Sequence, residues 1–242
     1  MENWKINRSF ILPSFFTVLN LMSGAISVFL SLNGHFTSAA WMIIIAILCD
    51  GLDGKIARWV HCESRFGVQL DSLADLVSSG MAPMILIYQN LFKHLPWFHS
   101  WICLVFLFAG TYRLARFNVI QNGDRSKGYT GLPIPVAGMS IAAYILFVDI
   151  VPIPVGWIIS TLLMLLYSIL MLSTIHYDWP KLIWDQGRVK VAYSILLLVC
   201  VSGMILYTKY TLFPLLIFYM LAGIGKWFIC RIRETWAIDL LK

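Results

Sequence analysis

The chain is poor in charge. Only 12% of its 242 residues are Asp, Glu, Lys or Arg, against 60% that are hydrophobic. An ordinary soluble domain carries roughly 25% charged residues, so this composition excludes one, and a mean hydropathy of +0.79 agrees. Cysteine is scarce and unpatterned. Cys49, Cys62, Cys103, Cys200 and Cys230 form no Cys-x-x-Cys pair, and five is an odd number. That leaves no zinc motif and excludes a complete disulfide framework. No cleavable leader is read, because Lys5 and Arg8 are followed by an apolar run without a small-residue cleavage site. No internal repeat or low-complexity stretch is found. Acidic residues are few as well, 12 against 18 basic ones, which makes any cluster of them conspicuous.

Long apolar runs supply what the composition lacks in charge. Runs long enough to span a bilayer lie at about 15–32, 38–58, 70–92, 97–119, 134–151, 154–173, 191–208 and 211–230. The expected fold is an all-α integral membrane protein, a bundle of about eight transmembrane helices forming one membrane-embedded domain over 1–242. Pro83 is expected to kink the third span, and Pro152 and Pro154 to turn the chain between the fifth and sixth. With both termini cytoplasmic, 16 of the 18 basic residues fall on the inner side and only Lys93 and Lys209 outside, as the positive-inside rule requires. The basic excess is therefore topological and attracts anionic lipid headgroups; it is no argument for nucleic acid. A multi-pass protein of the cell (inner) membrane is implied. Residues 1–13, with Trp4, Phe10, Ile11 and Leu12 around Lys5 and Arg8, read either as a short interfacial helix or as a tail.

The acidic residues are not scattered. Asp50, Asp53, Gly54, Ala57 and Arg58 fall at i, i+3, i+4, i+7 and i+8, one stripe of a helix, and Gly67, Asp71 and Asp75 follow at spacings of four. Folded as an antiparallel hairpin within residues 38–92, these helices bring the carboxylates into two facing layers within ~12 Å of depth, at ~1.5 Å rise per residue. Four like charges in apolar surroundings do not stay ionised together without cations between them. The hairpin therefore reads as a divalent-metal site open to the cytoplasm. The plainer alternative, neutralisation by Lys55 or Arg58, leaves the convergence of all four unexplained, and the glycine and alanine beside them. Two cations held this way suit a diphosphate, whose oxygens they neutralise. Gly54 and Ala57 let a flat nucleotide lie on helix backbone, Arg58 stands two turns from Asp50 to meet a phosphate, and one carboxylate is free to act as general base.

Other polar residues border this region. The first span carries Thr17, Asn20, Ser23 and Gly24 at helical spacing, a packing stripe in its own right but also a candidate cavity wall. In the third span, Ser72, Ser78, Ser79 and Gly80 keep one face small or polar. Arg113 and Arg116 share a face near the cytoplasmic end of the fourth span, followed by Phe117 and Asn118. Arginine offers a planar fork for phosphate or carboxylate, although both residues also fit as basic anchors reaching the surface. The loop over 174–190, with its mixed charges, reads as a solvated face.

Taken together, Asp50-x2-Asp53-Gly54-x2-Ala57-Arg58-x8-Gly67-x3-Asp71-x3-Asp75 resembles the signature of the CDP-alcohol phosphatidyltransferases, with all eight specified residues in place. Within that family the chain is similar to the bacterial and archaeal branch that makes phosphatidylserine. The similarity is carried by Leu12-Pro13, Leu19-Asn20-Leu21, Leu70 to Asp75, Arg113 to Asn118 and Gly131-Leu132-Pro133-x-Pro135. Ser79 departs from that branch, which usually has an aromatic residue there. The resemblance implies that Asp50, Asp53 and Asp71 are ligands of Mg2+ or Mn2+, two ions in all, with Asp75 shared between metal binding and the general-base role. It implies Gly54, Ala57, Arg58 and Gly67 as the nucleotide-binding face, CDP-diacylglycerol and L-serine as substrates, phosphatidylserine and CMP as products, and a homodimer. Arg113 and Arg116 are then candidates for the serine carboxylate, with Asn20, Ser72 and Asn118 as further substrate residues.

Rival readings explain less. Another acceptor alcohol, such as inositol, glycerol phosphate or choline, fits the signature but not the Arg113–Asn118 and Gly131–Pro135 stretches. Membrane prenyltransferases hold diphosphates between acidic motifs far apart in the chain, whereas 17 residues separate Asp53 from Asp71 here. A transporter predicts acidic residues spread over repeated halves. An intramembrane aspartyl protease needs only two aspartates.

Overall fold

The computed structural model describes residues 11–59, 65–121, 131–151, 154–175 and 208–239. Among these every regular element is helical. Helix α1 (Ile11–Leu32) and helix α2 (Phe36–Trp59) form an antiparallel pair closed by a tight turn. Gly34 adopts φ +80°, its N–H reaches the Ser31 carbonyl at 3.2 Å, and that of His35 reaches Leu30 at 2.9 Å. This is a glycine-terminated helix end whose left-handed residue any side chain would strain. Two turns before Gly34, the buried Ser27 hydroxyl donates to the Ala39 carbonyl at 2.8 Å and ties α1 to α2.

The third rod changes helical register along its length. Helix α3 (Arg65–Asp75) passes directly into a π-helical turn (Leu76–Met81), then α4 (Ala82–Ile87), then a second π-helical turn (Tyr88–Phe92). Pro83 supplies the reason for the first change. It has no N–H for the Ser79 carbonyl four residues back, and the N–H of Ala82 reaches Val77, five residues back, instead. The sequence marks Pro83 as a kink; the structure answers its missing donor with a π turn. The freed Ser79 carbonyl is covered by Gly138, where a Cβ would lie 2.6 Å from that oxygen.

The remaining helices are α5 (Phe98–Gln121), α6 (Ile134–Ile150), α7 (Gly156–Leu172) and α8 (Thr208–Asp239). Helix α6 is the centre of the bundle. Its residues Ile141 through Leu146 are all buried, as expected for a helix packed on every side, and it meets α2, α4, the first π turn and α8. The exterior is apolar instead: Phe15, Met22 and Phe29 on α1, Trp101 and Phe108 on α5, and Phe218 on α8 are exposed. Contiguous apolar surface of that extent suits lipid rather than water.

Among the described residues, four helical stretches are long and apolar enough to cross a membrane: Phe15–Leu32, Phe66–Phe92, Phe98–Val119 and Thr208–Gly225. Three shorter apolar helices, Phe36–Leu52, Ile134–Ile150 and Gly156–Leu172, stand beside them. Seventeen residues reach ~25 Å, near the lower limit for a span. Helices thus occupy seven of the eight expected runs. The run at 191–208, apart from Thr208, lies outside the described residues, as do residues 1–10 of the expected interfacial segment.

Candidate active site

Asp50 lies in the second half of α2, and Asp71 and Asp75 lie on successive turns of α3. One oxygen from each of the three carboxylates lies within 4.8 Å of the others. Asp75 is buried, and Asp50 and Asp71 are half-buried. The Asp75 carboxylate stands against those of Asp50 and Asp71, with Arg113 on the same side. Two ionised carboxylates are acceptors only, so such a contact needs a proton or a cation between them. A set of carboxylate oxygens at this spacing, partly shielded from water, fits Mg2+ or Mn2+, which favour hard oxygen donors. Asp53 follows Asp50 on the same helix, with Gly54, Ala57 and Arg58 beyond it; their side chains lie outside the described set. Gly67 sits one turn before Asp71 on α3, half-buried.

Helix α1 forms one wall of the site. Asn20 is fully buried and donates through Nδ2 to Asp75 Oδ1 at 3.2 Å. Thr17, one turn earlier, is also buried. Gly24, one turn later, lets α1 meet the π turn so closely that a Cβ would lie 2.6 Å from Ser78 Cα. The first-span stripe is thus a contact face that also reaches the acidic cluster through Asn20.

Helix α5 brings the remaining candidates, and here the structure separates residues that the sequence groups together. Asn118 Nδ2 donates to Ser72 Oγ at 3.0 Å, and the Ser72 hydroxyl lies 3.0 Å from the Val68 carbonyl, so these two engage each other across α3 and α5. Arg113 is buried, with its guanidinium 5.5 Å from the centre of the Phe117 ring, on the side of the acidic cluster. Arg116 points to the end of α7. Its Nη1 donates to the Leu172 carbonyl at 3.2 Å, and its Nη2 to Met171 and Ser173 at 3.3 and 3.1 Å. These carbonyls are acceptors left over where a helix stops, and a guanidinium complements that negative end.

One residue of this clamp stands in the sequence only as part of a matching stretch, with no structural role attached to it. Gly131, at φ +82°, donates its N–H to Ile175 at 2.8 Å, while the Leu132 N–H reaches Leu170 at 3.0 Å. A Cβ on Gly131 would meet the Met171 carbonyl at 2.6 Å and Arg116 Nη2 at 2.8 Å. The Gly-Leu-Pro segment is therefore fixed to the end of α7 together with Arg116.

Fold and site together define a class: a multi-pass helical membrane protein with converging carboxylates on two adjacent helices. Comparison with known proteins narrows it. The family model described as CDP-alcohol phosphatidyltransferase matches residues 10–176. A CDP-diacylglycerol–serine O-phosphatidyltransferase of Helicobacter pylori strain J99 is 28% identical over 231 residues, covering 94% of this chain and 95% of the relative. An archaetidylserine synthase of Methanothermobacter thermautotrophicus is 35% identical over 184 residues, 73% of each chain. A CDP-diacylglycerol–serine O-phosphatidyltransferase of Methanocaldococcus jannaschii is 31% identical over 178 residues, 74% of this chain and 78% of the relative. The chain belongs to the CDP-alcohol phosphatidyltransferase family and is an enzyme of that transferase class.

Proposed function

We propose that the whole chain, 1–242, is one membrane-embedded catalytic domain. It transfers the phosphatidyl group of CDP-diacylglycerol to the hydroxyl of L-serine, giving phosphatidylserine and CMP. The observation that carries this reading is the convergence of Asp50, Asp71 and Asp75 within the stretch that matches the family. Serine is common to the names of the three relatives, whereas the lipid part differs between phosphatidyl and archaetidyl.

In the proposed reaction the serine oxygen forms a bond to the phosphorus that carries diacylglycerol, and the bond from that phosphorus to CMP breaks. Asp50, Asp53, Asp71 and Asp75 would hold two divalent ions, Mg2+ or Mn2+. When bound, these neutralise diphosphate oxygens and the charge that develops on the departing CMP. Asp75, the most buried of the described three, takes the hydroxyl proton. Gly54, Ala57, Arg58 and Gly67 form the face on which the nucleotide lies. Arg113 holds the serine carboxylate, because it is buried on the acidic side of α5, while the terminal nitrogens of Arg116 lie on α7 carbonyls. The site opens to the cytoplasm, both termini lie on that side of the cell (inner) membrane, and two copies assemble as a homodimer.

The test is acceptor choice. Purified protein in detergent or vesicles is given CDP-diacylglycerol, divalent metal and, separately, labelled serine, inositol, glycerol phosphate or choline. Serine-dependent CMP release with labelled phosphatidylserine is the expected result. Release with another alcohol and none with serine would overturn the choice of serine and leave the family reaction standing.

A further inference from the structure

Asn20 occupies a position that a substrate ligand does not require. Its side chain is fully buried, and its amide nitrogen donates to Asp75 Oδ1 across 55 residues of sequence. Its own oxygen has no hydrogen-bond partner among the described residues. Burying an amide with its acceptor idle is costly, so the donor half is the part in use. A turned amide would set oxygen against carboxylate, which fixes its orientation.

The placement is built by successive turns of α1. Gly24, four residues after Asn20, meets the rod backbone one turn from Asp75, where a Cβ would stand 2.6 Å from Ser78 Cα and 2.8 Å from Ser78 Cβ. Ser27, three residues further, is bonded to the Ala39 carbonyl of α2 at 2.8 Å. Helix α1 is thus seated against both helices that carry the carboxylates, and Asn20 is the side chain it delivers to the site.

We infer that Asn20 is a positioning residue: it holds one oxygen of Asp75 and thereby fixes the rotation of that carboxylate toward the metal and the incoming hydroxyl. This rests on the reading of Asp75 as ligand and base. It differs from the role as a substrate residue that the sequence suggests, because Asn20 acts here through Asp75. Partners that orient a metal-ligating carboxylate typically matter by 10–100-fold in metal affinity or activity.

The experiment uses the full-length purified enzyme with Mn2+ as probe. Free Mn2+ is followed by electron paramagnetic resonance without substrate, and kcat and the KM for serine are then measured at saturating Mn2+. Asn20→Leu, similar in volume but without a donor, is expected to weaken Mn2+ binding ~10–100-fold and to lower kcat, with the serine KM unchanged. Asn20→Ser, which keeps a donor, should recover part of both. Gly24→Ala, which displaces α1 without touching the amide, should shift Mn2+ affinity in the same direction as Asn20→Leu. A raised serine KM with Mn2+ affinity and kcat unchanged would overturn the inference and return Asn20 to the substrate. Wild-type values throughout would overturn it as well. Asp75→Asn in the same assays separates the two levels. If it is impaired while Asn20→Leu is not, positioning fails alone; if it behaves as wild type, the reading of Asp75 fails with it.

Discussion

Arg113 and Arg116 stand three residues apart on α5 and serve different neighbours. Arg113 is buried toward the carboxylates, and Arg116 closes the end of α7 with contacts to three carbonyls. A charge-assisted hydrogen bond is worth ~1.5–3 kcal/mol, so Arg113→Ala should raise the serine KM roughly ten- to a hundredfold at saturating CDP-diacylglycerol. Arg113→Lys should lie between, having the charge without the fork. Arg116→Ala should leave that KM unchanged and instead lower the thermal unfolding temperature in detergent by several degrees. A reversal of those two outcomes would exchange the roles of the arginines. The sequence alone could not divide the pair. The acceptors of Arg116 are backbone carbonyls 55 to 57 residues away, and a carbonyl at a helix end has no residue type to announce it. The acidic trio was legible because spacings of three and four on a helix fix a shared face whatever the rest of the chain does. The pairing of Asn20 with Asp75 was not, since it depends on how closely α1 approaches.

At the scale of elements, glycines govern close approach. Hydropathy located the third span, but it reports burial and is blind to helical register, so the π turn ahead of Pro83 lay beyond it. At that turn Gly138 of α6 packs directly on the Ser79 carbonyl, with no room for a side chain. Gly138→Ala should therefore push α6 from the rod and lower stability by ~1–3 kcal/mol, the usual cost of overpacking, as read by thermal unfolding. Gly131→Ala combines a similar clash with a positive φ, a conformation that costs another ~1–2 kcal/mol for a residue with a Cβ. It should loosen the fastening of α5 and the Gly-Leu-Pro segment to α7, lowering unfolding temperature and turnover while leaving Mn2+ affinity intact. Loss of Mn2+ binding in Gly131→Ala would show that the clamp reaches the acidic cluster.

At the scale of the molecule, the helical bundle and its apolar exterior followed from composition, and seven of the eight expected runs are helices. The proposed orientation rests on the basic residues, of which all but Lys93 and Lys209 are expected on the cytoplasmic side from the order of the apolar runs. The structure places Lys209 beside Asp149, 3.9 Å away, with Thr37 bonded to the same carboxylate at 3.3 Å. Those residues begin α8, end α6 and begin α2, and Thr37 lies ~20 Å along α2 from Asp50, at ~1.5 Å per residue. The carboxylate site and this cluster therefore lie well apart along α2, the cluster at its start and Asp50 in its second half. A reporter fused after Lys242 should be active only when cytoplasmic reporters are. The most direct measurement is CMP release from CDP-diacylglycerol and serine by the purified enzyme, first stripped by chelator and then titrated with Mg2+ or Mn2+. The expected result is no turnover in chelator and saturable recovery with metal. Asp50→Asn and Asp71→Asn should fall short of the recovered rate by about three orders of magnitude, since a metal site supplies several kcal/mol to the transition state. Full turnover in excess chelator, or in either variant, would contradict a metal-dependent transfer at these aspartates.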